Sequence, residues 1–327
     1  MSVTVGRSTA TTPSTGSGPR AALPRWGSRV LLLNVVAECL IVVTGGVVRL
    51  TGSGLGCPTW PQCVPGSYVP VVQQAQGFHK WIEFGNRTLT GLVGVIALAC
   101  LVAVWRSRRR DLLPYVGLVI FGILAQAVIG GITVHMELAP GYVMTHFLVS
   151  MLLVTASTIL WRRGREASGS RAVVVRREVR GGAWLAAVLL YGVVVIGTVV
   201  TGSGPHSGDA DEPARFGLDP QAVSWLHADL VMAYVGLLVG LVVALRATAA
   251  PAAARRASLQ LLVATLAQGA VGYTQYFTDL PWVLVAIHMG MACLLVVLQV
   301  RLLCALTGPR VDVAPTTAAV RATAATA

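Results

Sequence analysis

Charge is scarce in this chain. Only 12% of its 327 residues are Asp, Glu, Lys or Arg, and the mean hydropathy is +0.71. A soluble domain averages about a quarter charged, so a water-covered globule is excluded. Alternation is also missing. The apolar residues come in unbroken runs, which excludes a transmembrane β-barrel and leaves helices. The basic blocks lack interleaved aromatics and flank apolar runs. The net charge of +12 is therefore a matter of topology, and nucleic acid is not a partner.

What is present is a series of eight apolar runs, at 30–48, 78–105, 112–134, 142–161, 184–201, 222–245, 259–276 and 282–303. A bilayer core takes about 20 residues of helix, so each run is expected to span a lipid bilayer. Basic residues set the direction. Arg20, Arg25 and Arg29 precede the first run. Arg106, Arg108, Arg109 and Arg110 follow the second, and Arg162, Arg163, Arg165, Arg171, Arg176, Arg177 and Arg180 the fourth. Arg246, Arg255 and Arg256 follow the sixth, and Arg310 the eighth. Glu137, Asp209, Asp211, Glu212, Asp219 and Asp279 collect in the other segments. The positive-inside rule places both termini in the cytoplasm of a multi-pass cell-membrane protein. Residues 1–28 read as a disordered cytoplasmic tail; the first run is too long for a cleaved signal peptide. Residues 306–327 read as a second disordered tail. Between them come an N-terminal four-helix half (29–165), a basic linker (166–182) and a C-terminal four-helix half (183–305).

The halves repeat each other. Leu124-Ala-Gln-Ala-Val-Ile-Gly130 matches Leu266-Ala-Gln-Gly-Ala-Val-Gly272, and the same offset carries His146 to His288. Thr51-Gly-Ser-Gly54 recurs as Thr201-Gly-Ser-Gly204. Glu83-Phe-Gly-Asn86 falls where the second half has Ser224-Trp-Leu-His227. An even number of spans per repeat keeps both halves in one orientation. The expected architecture is an all-α integral membrane protein of eight transmembrane helices, arranged as two pseudo-symmetric four-helix bundles.

All six histidines fall toward the outer side. Ionisable groups inside spans are costly and usually functional. His227 and His288 lie at similar depth on two helices of one bundle, which suits the two axial positions of a haem iron. Zinc would need third and fourth ligands, and Asp229 faces away from His227. His79, Glu83, Asn86 and Arg87 stand at i, i+4, i+7 and i+8, one helical face. Glu83 could move protons and Arg87 could hold a haem propionate; the plainer reading is an i,i+4 ion pair. Cys57 and Cys63 are extracytoplasmic and can oxidise to a disulfide, with a metal site as the weaker alternative. Cys39, Cys100, Cys293 and Cys304 read as packing residues. Glu38 is an intramembrane acid without an assigned role.

Together these residues resemble the haem A synthase family over roughly 28–304. The strongest elements are Gly46-Val-Val-Arg49-Leu-Thr-Gly-Ser-Gly-Leu-Gly-Cys57-Pro with Trp60-Pro-Gln-Cys63; Glu83-Phe-Gly-Asn86-Arg87; Gln126-Ala-Val-Ile-Gly-Gly-Ile-Thr-Val134; and Thr201-Gly-Ser-Gly-Pro-His206-Ser-Gly-Asp209. The resemblance implies oxidation of the C8 methyl of haem O to a formyl group, giving haem A for terminal oxidases. It implies a haem b (iron) cofactor ligated by His227 and His288, and haem O as substrate with His146 as one ligand. It makes Glu83 the essential glutamate and Cys57 with Cys63 the extracytoplasmic pair. Asn86 departs from the family pattern, which commonly has histidine there. Either His79 substitutes, about 10 Å away along the same face, or one iron position stays open or takes water. A haem O synthase and a second copy of the chain are candidate partners. The competing classes are a transmembrane di-haem b-type electron carrier, which would need histidines near both faces, and a repeat-built transporter, which would need broken helices and midplane charges.

Overall fold

The structure, a computed structural model, describes residues 20–169, 171–206, 208–209 and 214–309. Asp211, Glu212, Arg310 and the greater part of both expected tails lie outside these residues. Eight long helices follow in order: α1 (Arg25–Leu50), α2 (His79–Arg106), α3 (Leu113–His135), α4 (Pro140–Gly164), α5 (Arg177–Ser203), α6 (Pro220–Ala247), α7 (Ala252–Phe277) and α8 (Trp282–Ala305). Proline marks several starts: Pro140 and Pro220 open α4 and α6, where a missing N–H costs nothing. Asp219 caps α6 by accepting from the backbone N–H of Gln221 (3.1 Å) and Ala222 (3.3 Å). Arg106, Arg162, Arg163 and Arg246 sit in last turns, where the helix dipole favours cations.

Seven of these helices are long and apolar enough to cross a membrane. The exception is α7, whose run was expected to span like the others. It matches them in length, but Arg255, Arg256, Gln260, Gln268 and Gln275 dilute its apolarity. It packs between α6 and α8 all the same. The chain is thus an all-α membrane protein.

Helices α1 to α4 close a ring in which each packs on its sequence neighbours and α1 on α4. Helices α5 to α8 do the same, with α5 on α8. The two rings meet along a seam where α1 and α4 pack on α8, and α4 on α5. The buried apolar cores fill the inner ends of both rings. Val93 of α2 and Tyr234 of α6 lie about two turns inward of Asn86 and His227; Met151 and Cys293 lie about one and a half turns inward of His146 and His288. A smaller cluster of Leu50, Val285 and Ala286 packs at the outer end of the seam.

Three boundaries differ from the sequence expectation. Order begins before residue 29: Leu23 is buried against α4, its N–H donates to Gly164 O (2.8 Å), and Arg109 donates to Ala21 O (3.1 Å). The linker contains β1 (Arg171–Val173), which pairs antiparallel with β2 (Thr307–Pro309) in the expected C-terminal tail. Arg171 holds that pair by donating to Thr307 O (2.7 Å) and Thr307 Oγ1 (2.9 Å). The linker also ends early, because α5 starts at Arg177.

At the opposite surface the two glycine turns join the halves. Gly54 N–H donates to Gly208 O (3.0 Å), and Ser53 bridges to Asp209. Arg49, at the end of α1, donates from Nε to His206 O (2.6 Å) and from Nη2 to Thr201 O (3.3 Å).

Candidate haem sites and the disulfide lid

In the second ring, His227 stands on α6 and His288 on α8. Each imidazole brings its Cε1 close to a glycine of a neighbouring helix. A Cβ on Gly197 would come 3.1 Å from Cε1 of His227, and one on Gly272 3.1 Å from Cε1 of His288. Gln268 Nε2 donates to the backbone carbonyl of His288 (3.0 Å). Nδ1 of both histidines is buried without a hydrogen-bond partner. An unsatisfied buried nitrogen costs about 1–3 kcal/mol. Paired imidazoles of this kind, on alternate helices of an apolar bundle, fit the axial positions of a haem.

The first ring repeats half of this arrangement. His146 on α4 lies against Gly130 of α3, where a Cβ would come 3.2 Å from its Cε1. Gln126 Nε2 donates to the carbonyl of His146 (2.9 Å) and also bonds Ser150 Oγ. Nδ1 of His146 is again buried and unpartnered. Opposite, where the second ring has His227, Asn86 faces Gly45 of α1 and accepts a hydrogen bond from Thr44 Oγ1 (2.7 Å). Gln126, Gln268 and Thr44 were not singled out as site residues from sequence. The two glutamines stand in the repeated Leu-Ala-Gln motif, which was the signal for them.

His79 is not at this level. It opens α2, is exposed, and its Nδ1 bonds Ser53 Oγ (2.7 Å). His135 closes α3 at the surface, and Nε2 of His206 bonds Leu280 O (3.0 Å). Glu38 is 3% exposed inside the first ring, and its Oε1 has no hydrogen-bond partner.

A lid covers the outer end of the first ring. Cys57 and Cys63 form a disulfide, with Cα atoms 4.3 Å apart and both residues fully buried. Trp60 between them lies on Gly131 of α3, where any Cβ would collide with its indole. Lys80, 5% exposed, donates from Nζ to Val71 O (2.6 Å) and Val72 O (2.9 Å), tying the rest of the loop to α2.

Glu83 and Arg87 hold this lid from below. Glu83 Oε2 accepts from the backbone N–H of Cys57 (2.6 Å), and Oε1 accepts from Arg87 Nε (3.0 Å) and Nη2. Arg87 Nη1 donates to Thr59 O (2.8 Å) and Gln62 O (3.3 Å), and Nη2 to Cys57 O (2.7 Å). Every guanidinium N–H thus has an acceptor within the protein. The expectation that Arg87 anchors a propionate does not suit this geometry, because the lid carbonyls and Glu83 already use its donors. The plainer i,i+4 ion pair is present, and it reaches further than a helix-surface pair: it fastens the disulfide loop.

The chain is similar to known proteins. Residues 28–206 match the COX15-CtaA family, described as cytochrome oxidase assembly protein. A protein named Heme A synthase from Geobacillus thermodenitrificans is 31% identical over 129 residues, 38% of this chain and 39% of the relative. One of the same name from Shewanella oneidensis is 29% identical over 198 residues, 55% and 57% of the two chains. One from Sinorhizobium fredii is 26% identical over 303 residues, 76% and 81%. Against the first two, the matched part of the chain spans about two fifths and just over half of the relative's length.

Proposed function

The chain belongs to the COX15-CtaA family of cytochrome oxidase assembly proteins, and on that premise we propose that it is a haem A synthase, oxidising the C8 methyl of haem O to a formyl group. The observation that carries this is the asymmetry between two matching rings. Both place a histidine against a glycine, but among the described residues the disulfide loop, with a carboxylate bonded to its backbone, belongs to the first ring. A site for chemistry is set beside a site for a resident cofactor.

In this reading the second ring holds a haem b between His227 and His288, which supplies one-electron redox chemistry when bound. The first ring takes haem O as substrate. His146 ligates it from α4, fixed in height by the Gln126 hydrogen bond and in tilt by Gly130. Asn86, engaged with Thr44, presents an amide instead of a second imidazole, so the α2 side stays open to a small ligand. The lid keeps bulk water from the reacting edge.

Glu83 is the acid–base group. Taken as a half-reaction, a methyl group plus water gives a formyl group with four electrons, passed to an electron acceptor outside the chain, and four protons; Glu83 is the carboxylate bonded to the lid at the Cys57 N–H. Arg87 is a positioning residue that holds Glu83 and the lid together. Taking up a proton at Oε2 would weaken it as the acceptor for Cys57 N–H, so proton transfer and lid attachment are coupled at one atom. By the charge pattern the lid is extracytoplasmic and both termini are cytoplasmic. Haem O dissolves poorly in water, so delivery within the membrane from a haem O synthase is the expected route.

The test is haem analysis of membranes that express the chain together with a haem O synthase. Chromatography with mass spectrometry should show haem A, absent without the chain. Haem b alone, with haem O unconverted, would favour the electron-carrier reading.

A further inference from the structure

The inner ends of α4 and α8 carry guanidiniums that the proposed chemistry does not use. Arg162, Arg163 and Arg165 close α4, Arg301 lies in the last turns of α8, and Arg171 opens β1. Among the described residues, Glu166 is the one carboxylate that forms ion pairs with this group. Arg162 Nη2 lies 3.7 Å from it, and Arg171 shares it. The other partners are neutral. Arg301 Nη2 donates to Gln260 Oε1 of α7 (3.2 Å), and Arg165 stands over the Trp161 ring at 5.4 Å. Arg162 Nε is buried with no partner.

Helices α4 and α8 pack on each other here: Arg171, which shares Glu166 with Arg162, also donates from Nη2 to Cys304 O (3.3 Å), about one turn beyond Arg301 on α8. Burial, with the neighbouring charges of Arg163 and Arg162, holds the Arg171 guanidinium below its usual range. Among the described residues, Glu166 is thus the one carboxylate paired with Arg162, Arg163, Arg165, Arg171 and Arg301, and the group keeps an excess of positive charge. It also has an apolar continuation. Exposed Leu294 shares the Arg301 face of α8, two turns deeper, and exposed Val263 lies one turn from Gln260 on α7. A free anion would use only the guanidiniums; a lipid would use both parts.

We propose that Arg162, Arg165 and Arg301 bind the phosphate headgroup of an anionic phospholipid whose acyl chains lie along Val263 and Leu294. Basic pockets between membrane helices on the cytoplasmic side recognise such headgroups. The site joins α4 of one ring to α8 of the other, so the bound lipid braces the seam.

The experiment uses the full chain, purified in detergent and stripped of lipid. Its thermal unfolding is followed by intrinsic fluorescence with added phosphatidylglycerol, phosphatidylcholine or inorganic phosphate. Phosphatidylglycerol should raise the midpoint by a few degrees, and the other two should not. Arg301→Gln, and separately Arg162→Gln with Arg301→Gln, should lose at least half of that rise. An equal rise with phosphatidylcholine or with inorganic phosphate would overturn the proposal, as would a full rise in Arg301→Gln. Should the double variant fail to fold, native mass spectrometry of the wild type and Arg301→Gln decides. Retained phosphatidylglycerol should be at least halved in the variant, and unchanged retention would contradict the site.

Discussion

Asn86 carries the difference between the two proposed haem positions. In the repeat its place matches that of His227 in the other half; Thr44 of α1 bonds its side chain, and Gly45 lies beside it, where a Cβ would come 3.6 Å from its Nδ2. Asn86→His should therefore supply a second axial imidazole in the first ring. Low-spin haem should rise, measured by electron paramagnetic resonance, and haem A formation should fall about tenfold or more. An unchanged spin state would show that Asn86 does not face the iron. The glycines behind the imidazoles give a second prediction. Gly272→Ala would bring a methyl within 3.1 Å of the His288 ring, so the purified protein should lose most of its haem b. Gly236→Ala is the control, because nothing lies within 4 Å of its Cβ position. There alanine should leave haem content unchanged and stabilise α6 by about 0.5–1 kcal/mol. Much of this scale was legible in sequence, because the repeat aligned Asn86 with His227 and His146 with His288. Arg87 was not. A helix face shows which residues share a side, and it does not show that a loop from elsewhere folds back to occupy their donors.

The lid is the element that sets the first ring apart. Its cysteine pair has no counterpart in the sequence after α5, although the Thr-Gly-Ser-Gly turn recurs there. Cys57→Ser with Cys63→Ser removes the cross-link while leaving Glu83 and Arg87 in place. A disulfide contributes about 2–4 kcal/mol in typical cases, and this one closes a short loop, so the variant should unfold at a lower temperature by the equivalent of about 2 kcal/mol. Haem A formation should drop, while the bis-histidine signal of the second ring persists. Loss of both signals together would mean that the lid supports the whole fold and not one site. The helices themselves were readable from apolar runs. The strands were not, since three-residue pairs such as Arg171–Val173 with Thr307–Pro309 have no periodicity to detect. Nor was the early start at Leu23, which depends on Gly164 at the end of α4 and on Arg109.

At the scale of the molecule, the two rings share α1, α4, α5 and α8 as a seam and are locked at the outer surface by Arg49. Arg49→Ala should leave the carbonyls of His206 and Thr201 without this donor and lower the thermal midpoint. Haem should be lost from both rings, measured as total haem per protein. Retention of full haem with an unchanged midpoint would show that the rings are held by the helices alone. The repeat made the two-bundle plan visible, but not which helices meet, because pairing across the seam depends on side-chain fit and leaves no motif.

Glu83, fastened beneath the disulfide lid, is the group proposed to serve the oxidation of haem O in the first ring. The most direct test compares the wild type with Glu83→Ala in membranes that also contain a haem O synthase, by chromatography and mass spectrometry of extracted haems. The account expects haem A from the wild type. From the variant it expects little or none, with haem O accumulating and the haem b of the second ring retained. Equal amounts of haem A from both would contradict it.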